Sequence, residues 1–501
     1  MRYSDRFIPA GAARLRMSSA RPSPIKLMTS NPDTGAGALS RVVLIGALIL
    51  MLSMGVRATA GILMAPMLAT HGWSREFFSN AFAIQNLAWG LGAVLMGMLA
   101  DRIGAVRTIA LSGLIYAAGM LGTMWTESQA GLMLYFGLLL GIGQGGTSAS
   151  LVMPMIGRAT SPLARSAALG VANAGGSLGQ FLVVPAGHLL IEWLDWSATL
   201  LILSMTVAVI APLAFVMMPR ASARAASQAP LAGAAPHTSP AGAAAPAGSA
   251  TAAAAPAQPT LWQAVRDAFR RPAFALLAGS YFVCGFQLAF ITLHLPAYVV
   301  DNGLAAHHGA LAIALIGLFN VIGSFLVGWL GGRYSMKGLL GWVYALRAVF
   351  VVQLLVMPVS AFSLYLFSAG MGLLWLSTVP LTMGLVGQIF GLRYAATLGG
   401  FVFLSHQFGS AVGVWLAGRS YASTGNYDTM WYASIALALA AAVLAWLIDE
   451  RPDAGGRPTG RRVQPSTGPL PKSESSLARV SLEAGAAAPT SNAYSSSIRS
   501  A

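Results

Sequence analysis

Acidic residues are scarce in this 501-residue chain, 15 Asp and Glu against 30 Lys and Arg, and none falls well inside a long apolar run. Charge of either sign is scarce too: 9% of residues are charged and 56% are hydrophobic, where a soluble domain carries roughly 25% charged residues. That composition excludes a soluble globular protein and points to a polytopic membrane protein. Cysteine occurs once, as Cys284, which excludes an intramolecular disulfide, and no Cys/His cluster has metal-ligand spacing. Cys284 reads as a small helix-packing residue, and neither a metal nor a cofactor is expected. Nucleotide-binding signatures are missing, which argues against ATP-driven work. His, Ser and acidic residues do not converge on one face, so no catalytic constellation is visible and an enzyme is not expected. The formal net charge of +15 raises nucleic-acid binding, but most Lys and Arg lie in tails and loops, where they orient a chain in a membrane.

What is present is a series of apolar runs, each near the 20 or so residues that cross a bilayer as a helix. They lie at about 42–68, 77–100, 107–125, 131–155, 165–190 and 196–218, then at about 273–299, 309–331, 339–359, 362–389, 394–417 and 430–448. The expected fold class is therefore an all-α integral membrane protein of twelve transmembrane helices, six and six. The chain divides into a disordered cytoplasmic tail (1–40), a first six-helix bundle (41–218), a linker with a short surface helix (219–271), a second six-helix bundle (272–449) and a second disordered cytoplasmic tail (450–501). The Ala/Pro/Gly/Ser tract of the linker cannot bury a core. Leu261 to Arg271 reads as an amphipathic helix lying on the membrane surface, with Trp262 and Phe269 towards lipid. The first apolar run is too long for a signal-peptide core and leads directly into further spans, so it is expected to be retained.

With the N-terminus inside, the inner loops hold Arg102, Arg107, Arg158, Arg165, Arg333, Lys337 and Arg393. The outer loops hold Arg75 and Arg419, together with Glu127, Glu192, Asp195, Asp301 and Asp428. This asymmetry predicts a multi-pass protein of the cytoplasmic (inner) membrane with both termini in the cytoplasm.

After the second run stands Gly97-Met-Leu-Ala-Asp101-Arg102-Ile-Gly104-Ala-Val-Arg107, and at the matching place in the second half Gly328-Trp-Leu-Gly-Gly332-Arg333-Tyr-Ser-Met-Lys337. One loop pattern in both halves is the mark of an internal repeat. Here the chain resembles the major facilitator superfamily, whose G-x-L-x-D-R-x-G signature the first loop matches closely. The second loop is degenerate, with Gly332 in place of the acid. The resemblance implies two pseudo-symmetric six-helix bundles around a cavity that opens alternately to either side. It makes Gly97, Asp101, Arg102, Gly104, Arg107 and Arg333 gating candidates. Glycines crowd the fourth and fifth runs (Gly141, Gly143, Gly145, Gly146, Gly170, Gly175, Gly176, Gly179 and Gly187) and read as close helix-packing surfaces.

Arg57 and Arg347 are the ionisable residues that lie well inside spans apart from histidines. An arginine at the centre of a membrane helix costs about 3 kcal/mol by insertion scales. With no embedded acid to pair with, each is either neutralised by carbonyls and hydroxyls or awaits an anionic ligand. For Arg347, in the ninth run near Tyr344, a structural or snorkelling role and a ligand role both stand open. Arg57, deep in the first run, is read as the binding residue. Gln85 and Asn86 in the second run, Gln287 and His294 in the seventh, Asn320 in the eighth and His406 with Gln407 in the eleventh complete the candidate polar chamber.

Within the superfamily the chain is similar to the monocarboxylate transporters and the oxalate:formate antiporter group. The carriers are Gly55-Val-Arg57-Ala-Thr-Ala-Gly61, Gly72-Trp73-Ser74, and Gly418-Arg-Ser-Tyr-Ala-Ser-Thr424-Gly425-Asn-Tyr427, with Ala422 where an acid is usual. The resemblance implies that Arg57 engages substrate. The usual Asp/Arg pair of the eighth span is replaced by Asn320 and Ser324, which removes a second cavity cation. The expected function is transport of a small organic anion, a monocarboxylate, by alternating access, driven actively or facilitated. Protons or a counter-transported anion are candidate co-substrates, and His294 and His406 the groups able to titrate inside the membrane. The partners are the substrate and the bilayer, with no nucleic acid, and the chain is expected to work as a monomer. Efflux of hydrophobic drugs or metabolites is the competing transport reading; a membrane sensor or scaffold is the alternative from another class.

Overall fold

A segment in lipid must satisfy every backbone N–H and C=O within itself, and the apolar runs do so as helices. The computed structural model describes residues 32–160, 165–217, 260–391 and 394–451, with side chains from 41 onward except at 166 and 167. The expected tails and the linker tract fall almost wholly outside the described residues, as does Arg393. Among the described residues twelve helices are long and apolar enough to cross a membrane. They are α1 (Arg41–His71), α2 (Arg75–Ile103), α3 (Ala105–Trp125), α4 (Gln129–Ala159), α5 (Ala168–Trp193) and α6 (Trp196–Val216), followed by α8 (Pro272–Asp301), α9 (Ala306–Gly331), α10 (Met336–Val356), α11 (Ala361–Phe390), α12 (Ala395–Thr424) and α13 (Asp428–Trp446). Between the two sets lies the short helix α7 (Leu261–Phe269), closed by a capping box of Thr260 and Gln263. Trp262 of α7 is 77% exposed, whereas Phe269 also packs on Phe274 and Phe401.

Every expected run is a helix, most of them extended outward by a few residues. Polar flanks such as Arg75 and Asp301 remain helical because caps hold the ends. Ser74 accepts from the Phe77 amide at 3.1 Å, and Asp195 Oδ1 accepts from the Ala198 amide at 2.6 Å. Gly72 ends α1 at φ +67°, a left-handed conformation that side chains rarely adopt. The chain crosses back and forth, so one face carries the Asp101–Gly104 turn (the near face) and the other carries Gly72 and the Asp301 end of α8 (the far face).

The helices form two six-helix halves with two apolar cores, one built mainly from α1–α6 and one mainly from α8–α13. The same pairings recur in both. In the first half α1 lies against α5, where a Cβ on Gly179 would collide with the Met51 carbonyl oxygen. In the second half α8 lies against α12, where a Cβ on Gly409 would collide with the Phe282 carbonyl oxygen. The halves touch through α2 with α12, α5 with α9, and the second part of α1 with α8, where a Cβ on Gly61 would collide with the Thr292 carbonyl oxygen.

Among the described residues four spans are interrupted within the membrane, α6 only by a single residue at Val209. α1 breaks at Thr59, whose hydroxyl donates to the Val56 carbonyl at 2.7 Å. α4 breaks at Ser148 and α11 at Trp375–Ser377. The last two occupy matching places in the two halves, the arrangement by which transporters expose backbone near a substrate site.

Candidate anion site between the two halves

Arg57 sits in the last turn before the α1 break. Half-helix carbonyls there carry partial negative charge, which favours a cation without a carboxylate partner. Its Nη2 donates to Asn86 Oδ1 at 2.8 Å. The guanidinium carbon lies 4.6 Å from the Trp89 ring centroid and 5.5 Å from that of Phe82. The negative faces of the rings offset part of the charge. Asn86, Phe82 and Trp89 share one face of α2, being three and four residues apart. The Nε of Arg57 and the Nε1 of Trp89 are buried donors with no hydrogen-bond partner. Among the described residues no ion pair involves Arg57.

This cluster joins the second half directly. Gln407 Nε2 donates to the Asn86 carbonyl at 3.2 Å, and His406 Nδ1 lies 3.0 Å from Gln407 Oε1. The His406 ring packs on Tyr281 at 4.8 Å and stacks with Phe403. Arg57, Asn86, Gln407 and His406 are thus one connected network, built from α1, α2 and α12. Gln85 points into the first half's own core, where it shares a void of about 10 Å³ with Arg57 and Tyr116. That is room for one water at most. A larger groove of about 560 Å³ opens at the α3–α4 turn, but its lining carries Glu127 and no cation, so it does not suit an anion.

The remaining candidates lie elsewhere. Arg347 is fully buried, with Nη2 donating to the carbonyls of Leu374 at 2.7 Å and Trp375 at 2.5 Å, and Nη1 to Gln287 Oε1 at 3.4 Å. Its Nη2 thus meets the carbonyls freed by the α11 break, while its Nε, like that of Arg57, is buried without a hydrogen-bond partner. Gln287 belongs to the same assembly, its amide donating to the backbone and hydroxyl of Ser434, and so faces α13 rather than a chamber. Asn320 serves the other side of the break: its Oδ1 accepts from the Leu376 amide at 2.9 Å, while its Nδ2 donates to Ser177 Oγ of the first half at 2.7 Å. With both ends of the amide engaged and 1% exposure, Asn320 has little left for a ligand.

His294 is also placed away from Arg57, in a latch on the far face. Its Nε2 is 3.3 Å from Ser79 Oγ and its Nδ1 3.0 Å from the Tyr427 hydroxyl. Beside it Arg75 pairs bidentately with Asp301, with Nη2 at 2.7 Å from Oδ1, and donates to the Tyr427 hydroxyl at 3.3 Å. Arg75 also stacks on Tyr421 at 4.1 Å. Burial pushes the Tyr427 phenol up from its ordinary value, so it stays neutral between the two groups. The latch joins α2 to α8 and the α12–α13 turn.

On the near face the gating candidates are unlatched. Asp101, Arg102, Gly104, Arg107 and Arg333 are exposed. Among the described residues no ion pair holds them, and Arg333 stacks on its neighbour Trp329 at 3.7 Å. Gly97 has open space around it, and Gly104 turns the chain at φ +92°. Sequence reasoning missed Trp89, Phe82 and the Arg75–Asp301 pair. Trp89 was recoverable from its spacing to Asn86; the pair was not, because its members are 226 residues apart.

A family model described as Major Facilitator Superfamily matches residues 46–414. Monocarboxylate transporter 12 of Homo sapiens is 24% identical over 343 residues, 67% of this chain and 65% of that protein, so the chain spans just under two thirds of that relative. Monocarboxylate transporter 11 of Homo sapiens is 25% identical over 414 residues, 78% of each chain. The fold also matches a solved bacterial homolog of the human lysosomal transporter Spinster, inward-facing and unoccupied, with a TM-score of 0.60 and 16% identity over 82% of this chain and 97% of that one. Twelve spans in two matched halves and a family match over most of the chain lead to one conclusion: the protein is a transporter of the major facilitator superfamily.

Proposed function

We propose that the chain moves a small organic anion, a monocarboxylate, across the cytoplasmic membrane by alternating access, with both termini in the cytoplasm. The observation that carries this reading is the pair of unpartnered buried donors at one spot, Arg57 Nε and Trp89 Nε1, beside a guanidinium with no acidic partner among the described residues. A buried donor without an acceptor costs about 1–3 kcal/mol, and a carboxylate supplies acceptors for both while neutralising the charge. The distant likeness to monocarboxylate transporters supports the same substrate class. The Arg75–Asp301 pair ties the halves on the far face, and among the described residues no ion pair holds Asp101, Arg102, Arg107 or Arg333 on the near face, which fits a state open to the cytoplasm.

Uptake of labelled carboxylates into proteoliposomes tests the reading. Arg57→Gln is expected to abolish uptake while leaving yield and melting temperature intact; normal uptake by that variant would sink the proposal. If protons are co-transported, His406 carries the coupling, because it alone among the candidate histidines joins the Arg57 network. His406→Ala should then change the pH dependence of uptake, and an unchanged profile removes it from any proton path.

A further inference from the structure

We propose that the anion taken at Arg57 is an aromatic monocarboxylate without an amino group, its ring seated against Trp89 and Phe403. The proposal rests on the Arg57 reading and narrows it. From the guanidinium a row of rings runs across the boundary between the halves. Trp89 lies 4.6 Å from the Arg57 guanidinium carbon, Phe403 5.8 Å from Trp89 at 78°, His406 5.9 Å from Phe403 at 8°, and Tyr281 4.8 Å from His406. These separations fall within the 4.5–7 Å or so at which aromatic rings attract in edge-to-face or offset geometry. Trp89 and Phe403, the first two rings of this row, are half-buried, whereas Tyr281 and His406, like Phe82 on the other side of the cation, are buried. The row therefore keeps ring surface accessible beside the charge.

A site with one charged end and an apolar wall selects a ligand of the same build. A two- or three-carbon acid fills the charged end alone and leaves the ring faces wet. A dicarboxylate needs a second cation, and Arg347 is already spent on the Leu374 and Trp375 carbonyls. An amino acid needs a partner for its ammonium group, and among the described residues no Asp or Glu pairs with this network. An arene carboxylate satisfies each condition: its oxygens meet Arg57 and the Trp89 N–H, and its ring covers the aromatic wall.

The test uses the full chain in proteoliposomes with labelled benzoate, lactate and phenylalanine as probes. Benzoate is expected to enter about tenfold faster than lactate at equal low concentration, and phenylalanine not at all. Phe403→Leu should narrow the benzoate-to-lactate ratio by about fivefold, and Phe403→Tyr, which keeps the ring, should restore it. Arg57→Gln should remove benzoate and lactate uptake together. Lactate entering as fast as benzoate, with both lost in Arg57→Gln, overturns the aromatic class and leaves the Arg57 site standing. Uptake of phenylalanine at the benzoate rate also overturns it. Uptake of neither carboxylate, or uptake indifferent to Arg57→Gln, overturns both readings.

Discussion

Arg57 and Arg347 carry the same charge into the same kind of apolar surroundings, one in each half of the molecule, and their surroundings answer it differently. Arg347 lies where α11 unwinds, and the carbonyls released by the break take its guanidinium while Gln287 takes the other amino group. The broken helix thus takes one of the two Nη groups through its carbonyls, and only the Nε is left without a partner. Arg57 lies at a break in its own helix and holds one amide oxygen and two ring faces, and among the described residues no hydrogen bond joins its guanidinium to a backbone carbonyl. A buried arginine is thus not in itself a binding residue. What separates the two is whether backbone acceptors reach the charge before a ligand can.

Substitutions can break or sharpen that contrast. The largest effect on folding is expected from Arg347→Met, which leaves the Leu374 and Trp375 carbonyls and Gln287 Oε1 without their donor. Each buried orphan costs about 1–3 kcal/mol, so most folded protein should be lost in size-exclusion profiles of detergent extracts. A variant that folds normally would show that the α11 break does not need the Arg347 guanidinium, removing that side of the contrast. Arg57→Gln is the opposite case. Its amide still reaches Asn86, so the melting temperature should hold while carboxylate uptake falls roughly a hundredfold, the equivalent of about 3 kcal/mol of charge-assisted hydrogen bonding.

Asn320→Ala should fall between them. It frees the Leu376 amide in the α11 break and cuts the tie to Ser177 of the first half. A destabilisation of about 1–2 kcal/mol is expected, read as a lower melting temperature with uptake reduced but present. The smallest effect belongs to the far-face latch. The Arg75 and Asp301 side chains are 21% and 27% exposed, and pairs so placed contribute about 1 kcal/mol or less. Asp301→Asn should raise maleimide labelling of a Glu76→Cys reporter about threefold by favouring the far-open state; labelling unchanged by the substitution removes the pair from the gate.

Much of this could be read from residue order. Hydropathy located all twelve spans, since a run of about 20 apolar residues has one stable form in lipid. The loop from Gly97 to Arg107 carried the family, and the want of embedded acids singled out Arg57 and Arg347. Glycine-rich stretches of α4 and α5 announced close helix contacts, which the Gly179–Met51 approach realises. The roles of the remaining polar groups were not legible. Gln287, His294 and Asn320 belong by composition to a polar chamber, yet each is engaged by a residue far away in the chain: Ser434, Tyr427 and Ser177 respectively.

Residue order alone therefore decided that the chain crosses the membrane twelve times, in two related halves, with two costly cations inside. It could do so because burial in lipid and backbone satisfaction are local properties of a segment. Tertiary packing decided that Arg347 meets backbone carbonyls while Arg57 meets an amide oxygen and two ring faces, that Arg75 pairs with Asp301 on the far face, and that rings of α2 and α12 lie in a row beside Arg57. Those outcomes depend on partners from other helices, from 27 residues away for Arg347 and Leu374 to 321 for Gln407 and Asn86, and a hydrogen bond or a ring contact exists only once both partners are held within a few ångströms.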